Sequence, residues 1–402
     1  MDAEATAPFL RHFAGLPDPR RHNVRHVFGD ILTIAVLAVL CRSDDWADVV
    51  LWAQVQHEWL ATFLALPNGI PSADTFRRVF ARIDPGAFER CFTAWTAALS
   101  EASGGRLISI DGKTLRRSFE HAWARLGAAH LVSAWCGGDN QMVLGQLAVA
   151  DKSNEITAIP RLLDLLNVKG AIVTIDAMGC QTEIAATIVG KEGDYLLAVK
   201  DNQPTLAAGV AALMNEAVLD RAKGVAGAAE HVGYFEQANG GHGRVETRRV
   251  WVTDRVGGLG EDLAGRWARL ACVALVESTR RDLSDPTGKV SVERRYYISS
   301  LPRAAGVGAG VGDVDAHART VAEAIRGHWG VENNLHWRLD VSFGEDQSRL
   351  RVGHGAENFS RLRRVVLNKL RPAEGERRQS LKGKRYRCSL SREYLMQVLL
   401  RD

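Results

Sequence analysis

Two short apolar runs of this chain end in the same way. Leu107-Ile-Ser-Ile110 is closed by Asp111-Gly112, and Ala171-Ile-Val-Thr-Ile175 is closed by Asp176-Ala177. Short runs of β-branched and aliphatic residues bounded by turn formers read as strands. In sheets with parallel strands, ligands gather beyond the carboxyl ends. If these two runs are parallel neighbours, two carboxylates converge on one spot. Close carboxylates repel and each rises in pKa unless a cation compensates. A hard divalent cation with oxygen ligands is the usual solution. Taken singly, either aspartate is equally well a turn residue at a strand end; the matched context is what favours a site.

The rest of the pattern builds an α/β frame around these runs. Residues 1 to about 100 read as helical. Phe28 to Cys41 is apolar nearly all round, as in a helix inside a bundle, and Asp44 to Phe63 continues with Trp46, Trp52 and Trp59. Pro67-Asn68-Gly69 breaks the pattern, and Pro71-Ser72-Ala73-Asp74 is a helix start followed by Arg77, Arg78 and Arg82. A packed bundle is the expectation there, a helix-turn-helix-like element the alternative. The texture changes at Gly104-Gly105. Strands follow at His130 to Cys136 and Gln141 to Val149, with Gly137-Gly138-Asp139-Asn140 between them as hairpin chemistry. Ile156 to Leu166 and Thr182 to Val189 have helical spacing, and Tyr195 to Val199 is a further strand. This order describes a mixed sheet covered by helices. After a helix to about 222, Arg244 to Thr253, Ala268 to Glu277 and Val292 to Ser299 alternate like an antiparallel insertion. Gly and Val dominate a connector at 306–312, and a long helix is expected from about His317 to Leu339.

Glu332 lies on that last helix. At about 100° per residue it falls in the middle of the stripe formed by Ile325, His328, Trp329, Leu335, His336 and Leu339. A carboxylate centred on a core-facing stripe is costly unless paired or metal-bound. It either pairs with His328 or His336, one turn away on each side, or joins the two aspartates as a third ligand. Three carboxylates holding two ions serve phosphodiester chemistry without a covalent protein nucleophile. A zinc site of His328, Glu332 and His336, spaced four residues apart, is the rival metal reading.

Composition narrows the classes. Formal net charge is only +4, from 51 Lys and Arg against 47 Asp and Glu, so overall charge does not announce a nucleic-acid partner. Its distribution says more: between Arg361 and Arg387 there are eleven Lys or Arg and two acids, Glu374 and Glu376. Arg20, Arg21 and Arg25 with His22 and His26 form a smaller cluster. Such segments neutralise phosphates or are simply solvated. The six cysteines are far apart with no CxxC pair, which suggests neither a zinc knuckle nor a disulfide framework and fits a reducing cytoplasm. No apolar run is long enough to span a bilayer, no secretory signal is visible, and there is neither a P-loop nor a Ser-His-Asp order.

Several ordered segments together resemble the DDE transposases of bacterial insertion sequences, in particular the H-repeat-associated group. They are Ile110-Asp-Gly-Lys-Thr-Leu-Arg-Arg-Ser118, Thr174-Ile-Asp-Ala-Met-Gly-Cys-Gln181, Tyr195-Leu-Leu-Ala-Val-Lys-Asp-Asn-Gln203, His242-Gly-Arg-Val-Glu-Thr-Arg248 and Arg326-Gly-His-Trp-Gly-Val-Glu-Asn-Asn-Leu-His-Trp-Arg-Leu-Asp-Val341, followed by Phe343, Glu345 and Asp346. Asp18-Pro-Arg-Arg-His22 and Leu381-Lys-Gly-Lys-Arg385 match as well, so the resemblance covers nearly the whole chain. It implies a ribonuclease-H-like mixed sheet with flanking helices, an antiparallel β-rich insertion and an N-terminal helical domain. The implied division is 1–103 helical, 104–204 first part of the core, 205–304 insertion, 305–371 remainder of the core with the third-acid helix, and 372–402 basic tail. The implied function is binding of element ends, metal-dependent strand cleavage and strand transfer. A nuclease of the same fold without strand transfer, or a non-catalytic DNA-binding derivative, is the alternative. Asp111, Asp176 and Glu332 match the catalytic, metal-holding triad, with two Mg²⁺ or Mn²⁺ ions implied. Lys113, Arg116, Arg117, Lys200, Asn202, Arg326, Asn333 and Arg338 are the implied DNA contacts. Double-stranded DNA, as terminal inverted repeats and target, is the implied partner of a cytoplasmic protein that dimerises on DNA and uses no membrane. One departure stands out. The wider family has a lysine seven residues after its glutamate; here that position is Leu339, followed by Asp340. The contact falls to Arg338 or is absent, and Asp340 and Asp346 are rival third acids.

Overall fold

In the computed structural model the residues described are 8–22, 24–101, 106–118, 128–138, 141–149, 155–241, 243–283, 290–303, 311–371 and 379–401. The Gly104-Gly105 boundary, Asp139-Asn140 of the hairpin, His242 and most of the 306–312 connector lie outside them. The chain divides into two compact units. One comprises Met1–Gly104, Asp111–Leu166 and Val331–Asp402, the other Gly105–Ile110 and Asn167–Gly330.

The first unit is built on α1 (Phe28–Leu40), whose residues from Asp30 onward are all buried, as an all-round apolar sequence requires. Asp30 is tolerated inside because its carboxylate accepts the Leu66 backbone N–H at 2.9 Å. Around it lie α2 (Trp46–Val55), α3 (Ala73–Arg82) and α4 (Pro85–Glu101). The start of α3 is where the sequence puts it: Ser72 is the N-cap and its hydroxyl accepts the Thr75 N–H. Phe76, Val79 and Phe80 form the buried stripe of α3, and Trp46 packs on Phe76, Phe80 and Phe359. Strands β2 (His130–Cys136) and β3 (Met142–Val149) pair antiparallel as expected. Helix α5 (Glu155–Leu165) completes the central part of the unit. From the C-terminal third come α9 (Trp337–Phe343), α10 (Gly355–Lys369), α11 (Leu381–Leu390) and α12 (Arg392–Leu400). The described part of the basic C-terminal segment is thus helical, and Cys388, Tyr394, Leu395, Val398 and Leu399 join the same apolar core as α1.

In the second unit the first half of β1 (Arg106–Thr114) pairs in parallel with β4 (Ala171–Ile175), and β4 in parallel with β5 (Asp194–Val199). The β-rich segment inserted after β5 is antiparallel, as expected, and it continues the sheet of this unit. Strand β9 (Val290–Ser299) pairs antiparallel with β5, followed by β8 (Cys272–Asp282), β7 (Arg244–Thr253) and β6 (Val232–Gly241). Within this unit the strand order is β1-β4-β5-β9-β8-β7-β6, a mixed sheet of the kind the resemblance implied. Helices α6 (Thr182–Gly190), α7 (Pro204–Ala222) and α8 (Val311–His328) flank this unit's strands. Gly233 of β6 is required by α8: a Cβ there would stand 2.1 Å from the Val314 carbonyl oxygen.

Two expectations are corrected. Strand β1 does not stop at Asp111 but runs on to Thr114; what stops at Ile110 is its pairing with β4. The long helix from His317 to Leu339 is not continuous either. After α8 the backbone makes a π-helical turn, Val331–His336, before α9 begins. Gly327 and Gly330 flank this junction, and glycine costs about 1 kcal/mol relative to alanine in a helix interior.

Candidate active site

Asp176 follows the last residue of β4 and caps a short 3-10 turn, Ala177–Gly179; its Oδ1 accepts the Met178 N–H at 3.1 Å. The loop after β5 braces that turn. The Asn202 amide donates to the Ala177 carbonyl at 2.7 Å, and Gln203 donates to the Cys180 carbonyl at 3.0 Å. Asn202, expected as a DNA contact, therefore also fixes the turn that carries Asp176. Lys200, on the same loop, is exposed. On β4, Thr174 is buried between Ser109 Oγ (3.1 Å) and His328 Nδ1 (3.0 Å), so His328 anchors the end of α8 to the sheet. Arg326, two residues earlier, reaches across to Gln237 of β6 at 2.9 Å.

In the first unit the second half of β1 carries Asp111, Gly112, Lys113 and Thr114. Strand alternation puts Asp111 and Lys113 on one side and Gly112 on the other. Gly112 faces a buried pair, His130 Nε2 and Glu155 Oε1 at 2.6 Å. A Cβ at 112 would lie 2.4 Å from that carboxylate, which is why the aspartate is followed by glycine. On the other side, Asp111 Oδ2 lies 3.2 Å from His336 Nε2, and Lys113 Nζ is bound by Asp340 and, at 3.2 Å, by Glu345. The pitches match: two strand residues rise about 6.6 Å and four helical residues about 6 Å. The segment from His336 to Asp340 can therefore run alongside β1, its four-residue step spanning the two-residue step from Asp111 to Lys113.

Lys113 was expected to grip DNA. The structure encloses it instead, 9% exposed, among Asp340, Glu345 and, at 4.0 Å, Asp346. Glu345 is fully buried; burial alone would raise its pKa, but Arg364, Lys113 and Arg363 outweigh it and bring the carboxyl down to about 2. Asp346 is raised, by burial first, with Asp340 and Glu345 adding repulsion. The two rival third acids are thus engaged with cations: Asp340 with Lys113, and Asp346 with Arg116 at 3.3 Å. Arg116 itself is 80% exposed, and Arg117 is exposed too. Arg338 is half-buried and donates to Gln141 (3.1 Å) and Asn334 (3.2 Å); burial lowers its pKa.

Glu332 does not sit on a core stripe. The π-turn shifts the register, so Val331, Leu335, Leu339 and Phe343 are buried while Glu332 and Asn333 are exposed. The i→i+5 bonding of a π-turn displaces side chains from the constant-angle wheel, and such turns occur frequently at functional sites. The π-turn also removes the even helical spacing between Glu332 and His336 on which the zinc reading partly rested. Among the described residues no group of three or more His, Cys, Asp and Glu side chains gathers as a metal cluster. Burial pushes the Cys180, Cys272 and Cys388 thiols up to about 12, which disfavours the reactive thiolate. Among the described residues no helix is long and apolar enough to cross a membrane.

The neighbours His336, Glu345 and Arg364 were not assigned these roles from sequence. His336 and Glu345 fall in the segment from Arg326 to Asp346, where the sequence presents His336 as a partner of Glu332 or a zinc ligand, and Arg364 falls in the basic stretch from Arg361 to Arg387.

Comparison with known proteins yields a consistent picture. Residues 102–369 match the family model described as Transposase DDE domain, and residues 10–96 match one described as DDE_Tnp_1-associated. YncI of Escherichia coli O157:H7, which carries a transposase name, is 38% identical over 391 residues, 97% of this chain and 94% of that protein. YhhI of Escherichia coli K12, named as H repeat-associated and a transposase, is 36% identical over 391 residues, 97% of each chain. Among solved structures, a piggyBac transposase synaptic complex with hairpin DNA is matched with TM-score 0.37 and 9% identity, covering 98% of this chain and 78% of that one. That likeness is too distant to bear on function.

Proposed function

The chain belongs to the DDE transposase family, and from that premise we propose that it cuts DNA strands at element ends and joins them to a target, with Asp111, Asp176 and Glu332 as its acidic set. The observation that carries this reading is the register of the parallel pair: Ile110 is opposite Ile175, and each is followed in the chain by its aspartate. The chemistry of the set, carboxylate oxygens from Asp111, Asp176 and Glu332, suits Mg²⁺ or Mn²⁺. Bound there, such ions would activate the attacking hydroxyl and stabilise the leaving oxygen of an in-line displacement.

The chain's own residues position this set. His336 stands beside Asp111 and limits the rotation of its carboxylate. Asn202 and Gln203 fix the turn behind Asp176. Lys113 acts as a positioning residue, tying β1 to Asp340 and Glu345, while exposed Arg116, Arg117, Lys200 and Asn333 supply contacts to the DNA backbone together with Arg326 and Arg338. The test is nicking and strand transfer on a duplex carrying the element end, with and without Mg²⁺. Asp111→Asn, Asp176→Asn and Glu332→Gln should each abolish both steps and leave the thermal melt unchanged. Full activity of any one, or undiminished activity in chelator, would sink the assignment. Nicking without joining would instead favour a nuclease.

A further inference from the structure

Two basic hollows lie at helix α3, within the first unit and outside the acidic set. One, of about 430 Å³, is lined by Pro19, Arg20, Arg21, His22 and Arg82. The other, of about 510 Å³, is lined by Arg77, Arg349, Arg351 and their neighbours Trp46, Leu350, Val352 and Gly355. Arg77 and Arg82 are five residues apart on α3, about 7.5 Å along its axis. Arg78 lies between them and is 71% exposed.

The surroundings are built rather than loose. The segment bearing Arg349 and Arg351 is pinned to α3 where the His354 N–H donates to the Ala81 carbonyl at 3.0 Å. Gly353, at φ +52°, sits so close that a Cβ would stand 2.6 Å from that same carbonyl. Asn358 fastens the end of α3 through the Phe80 and Ile83 carbonyls. Arg20 is held by a bidentate contact to Asp18 at 2.9 and 2.7 Å. Arg351 Nε donates to the carbonyl of Arg117 at 3.2 Å, which joins this surface to the end of the β1 region. Three acids meet arginines of this region: Asp18 holds Arg20, Asp74 is shared by Arg77 and Arg78, and Asp346 meets Arg116.

We propose that the arginines bordering these two hollows, Arg77, Arg349 and Arg351 on one side of α3 and Arg82 on the other, with exposed Arg78 between them and Arg116 and Arg117 beyond Arg351, form a track for the backbone of duplex DNA. Its charge is complementary to phosphate, and arginine forks suit phosphate geometry. Its fixed backbone keeps the ordering cost of binding low. The inference rests on the transposase reading, because it leads DNA away from the strand that carries Asp111.

The experiment measures binding of a fluorescent 30-base-pair duplex across a salt series, in chelator, so that catalysis plays no part. Each phosphate contact contributes roughly 0.9 to the log–log salt slope. The Arg77→Ala, Arg78→Ala, Arg82→Ala triple variant should flatten the slope by roughly 2.7, and Arg349→Ala alone by roughly 0.9, with circular dichroism unchanged. The control, Arg280→Ala with Arg294→Ala, removes exposed charge from β8 and β9 and should leave the slope as it is. An unchanged slope in the α3 variants, an equal flattening in the control, or equally tight binding of single strands would each overturn the track. If the wild-type chain binds duplex through these arginines but never nicks it with Mg²⁺, the acidic set fails and the track stands.

Discussion

The arginines of α10 and α11 and those of α3 are equally conspicuous in the sequence, and the fold uses them in opposite ways. Arg361, Arg363, Arg364 and Arg385 are at most 1% exposed. Arg361 meets Glu89 at 2.6 Å and Glu357 at 3.0 Å, Arg364 meets Glu345 at 2.9 Å, and Arg385 meets Asp44 at 2.6 Å. Aromatic faces take the remaining charge: Arg363 lies 4.4 Å over Phe359 and Arg385 4.2 Å over Phe343. Arg77 and Arg78 share a single exposed acid, with half or more of each side chain in solvent. A cation can reach phosphate only where the fold has not already consumed it. The expectation that the stretch from Arg361 to Arg387 neutralises DNA is therefore overturned for its buried members, whereas Arg77, Arg78 and Arg82 of α3 keep their side chains exposed.

The comparison is broken most directly at the buried end. Arg361→Ala would leave Glu89, 1% exposed, without its cation; the remaining partner there is the Gln146 N–H at 2.6 Å. Removing one partner of a buried pair costs about 3–5 kcal/mol, so this variant should lose most of its resistance to urea. A loss under about 1 kcal/mol would show that the α10 arginines are not structural. Glu345 comes next. Its folded pKa of about 2 lies below the ordinary value of about 4.3 for an unfolded glutamate. The contribution is therefore fully present above about pH 5 and is lost as pH falls toward 2, on the order of 3 kcal/mol in all. Glu345→Gln should be less stable at neutral pH and should show a flatter stability profile between pH 5 and pH 2. Parallel profiles for the two proteins would place the charge of Glu345 elsewhere.

Which of these uses was legible depends on how far apart the partners lie in the chain. Local chemistry was readable: the Ser72 cap, the β2 and β4 strands, and the two aspartates that follow Ile110 and Ile175. Strand β6 was not, because Val-Gly-Tyr-Phe-Glu-Gln-Ala-Asn-Gly-Gly is an edge strand with burial only at its first two residues, and edge strands carry little apolar alternation. The exposure of Glu332 was hidden by the π-turn, which no constant-angle wheel contains. The enclosure of Lys113 by Asp340 and Glu345 joins residues more than 220 positions apart, and Glu89 lies 272 positions from Arg361. Nothing in a local window distinguishes such a lysine or arginine from one left in solvent.

The exposed end of the comparison predicts the smallest effect. Arg78→Ala removes one i,i+4 pair with Asp74, and Arg77 still reaches that carboxylate at 3.1 Å. Exposed pairs of this spacing are worth about 0.3–0.5 kcal/mol, and alanine regains a little through helix propensity. The variant should therefore melt within about 0.5 kcal/mol of the wild type. The difference should vanish near 1 M salt, where the screening length falls to about 3 Å. Thermal melts of both proteins at low and high salt make the measurement. A cost above about 2 kcal/mol, persisting at high salt, would mean that Arg78 is held by the fold as Arg361 is, and the distinction between the two arginine sets would fail at that residue.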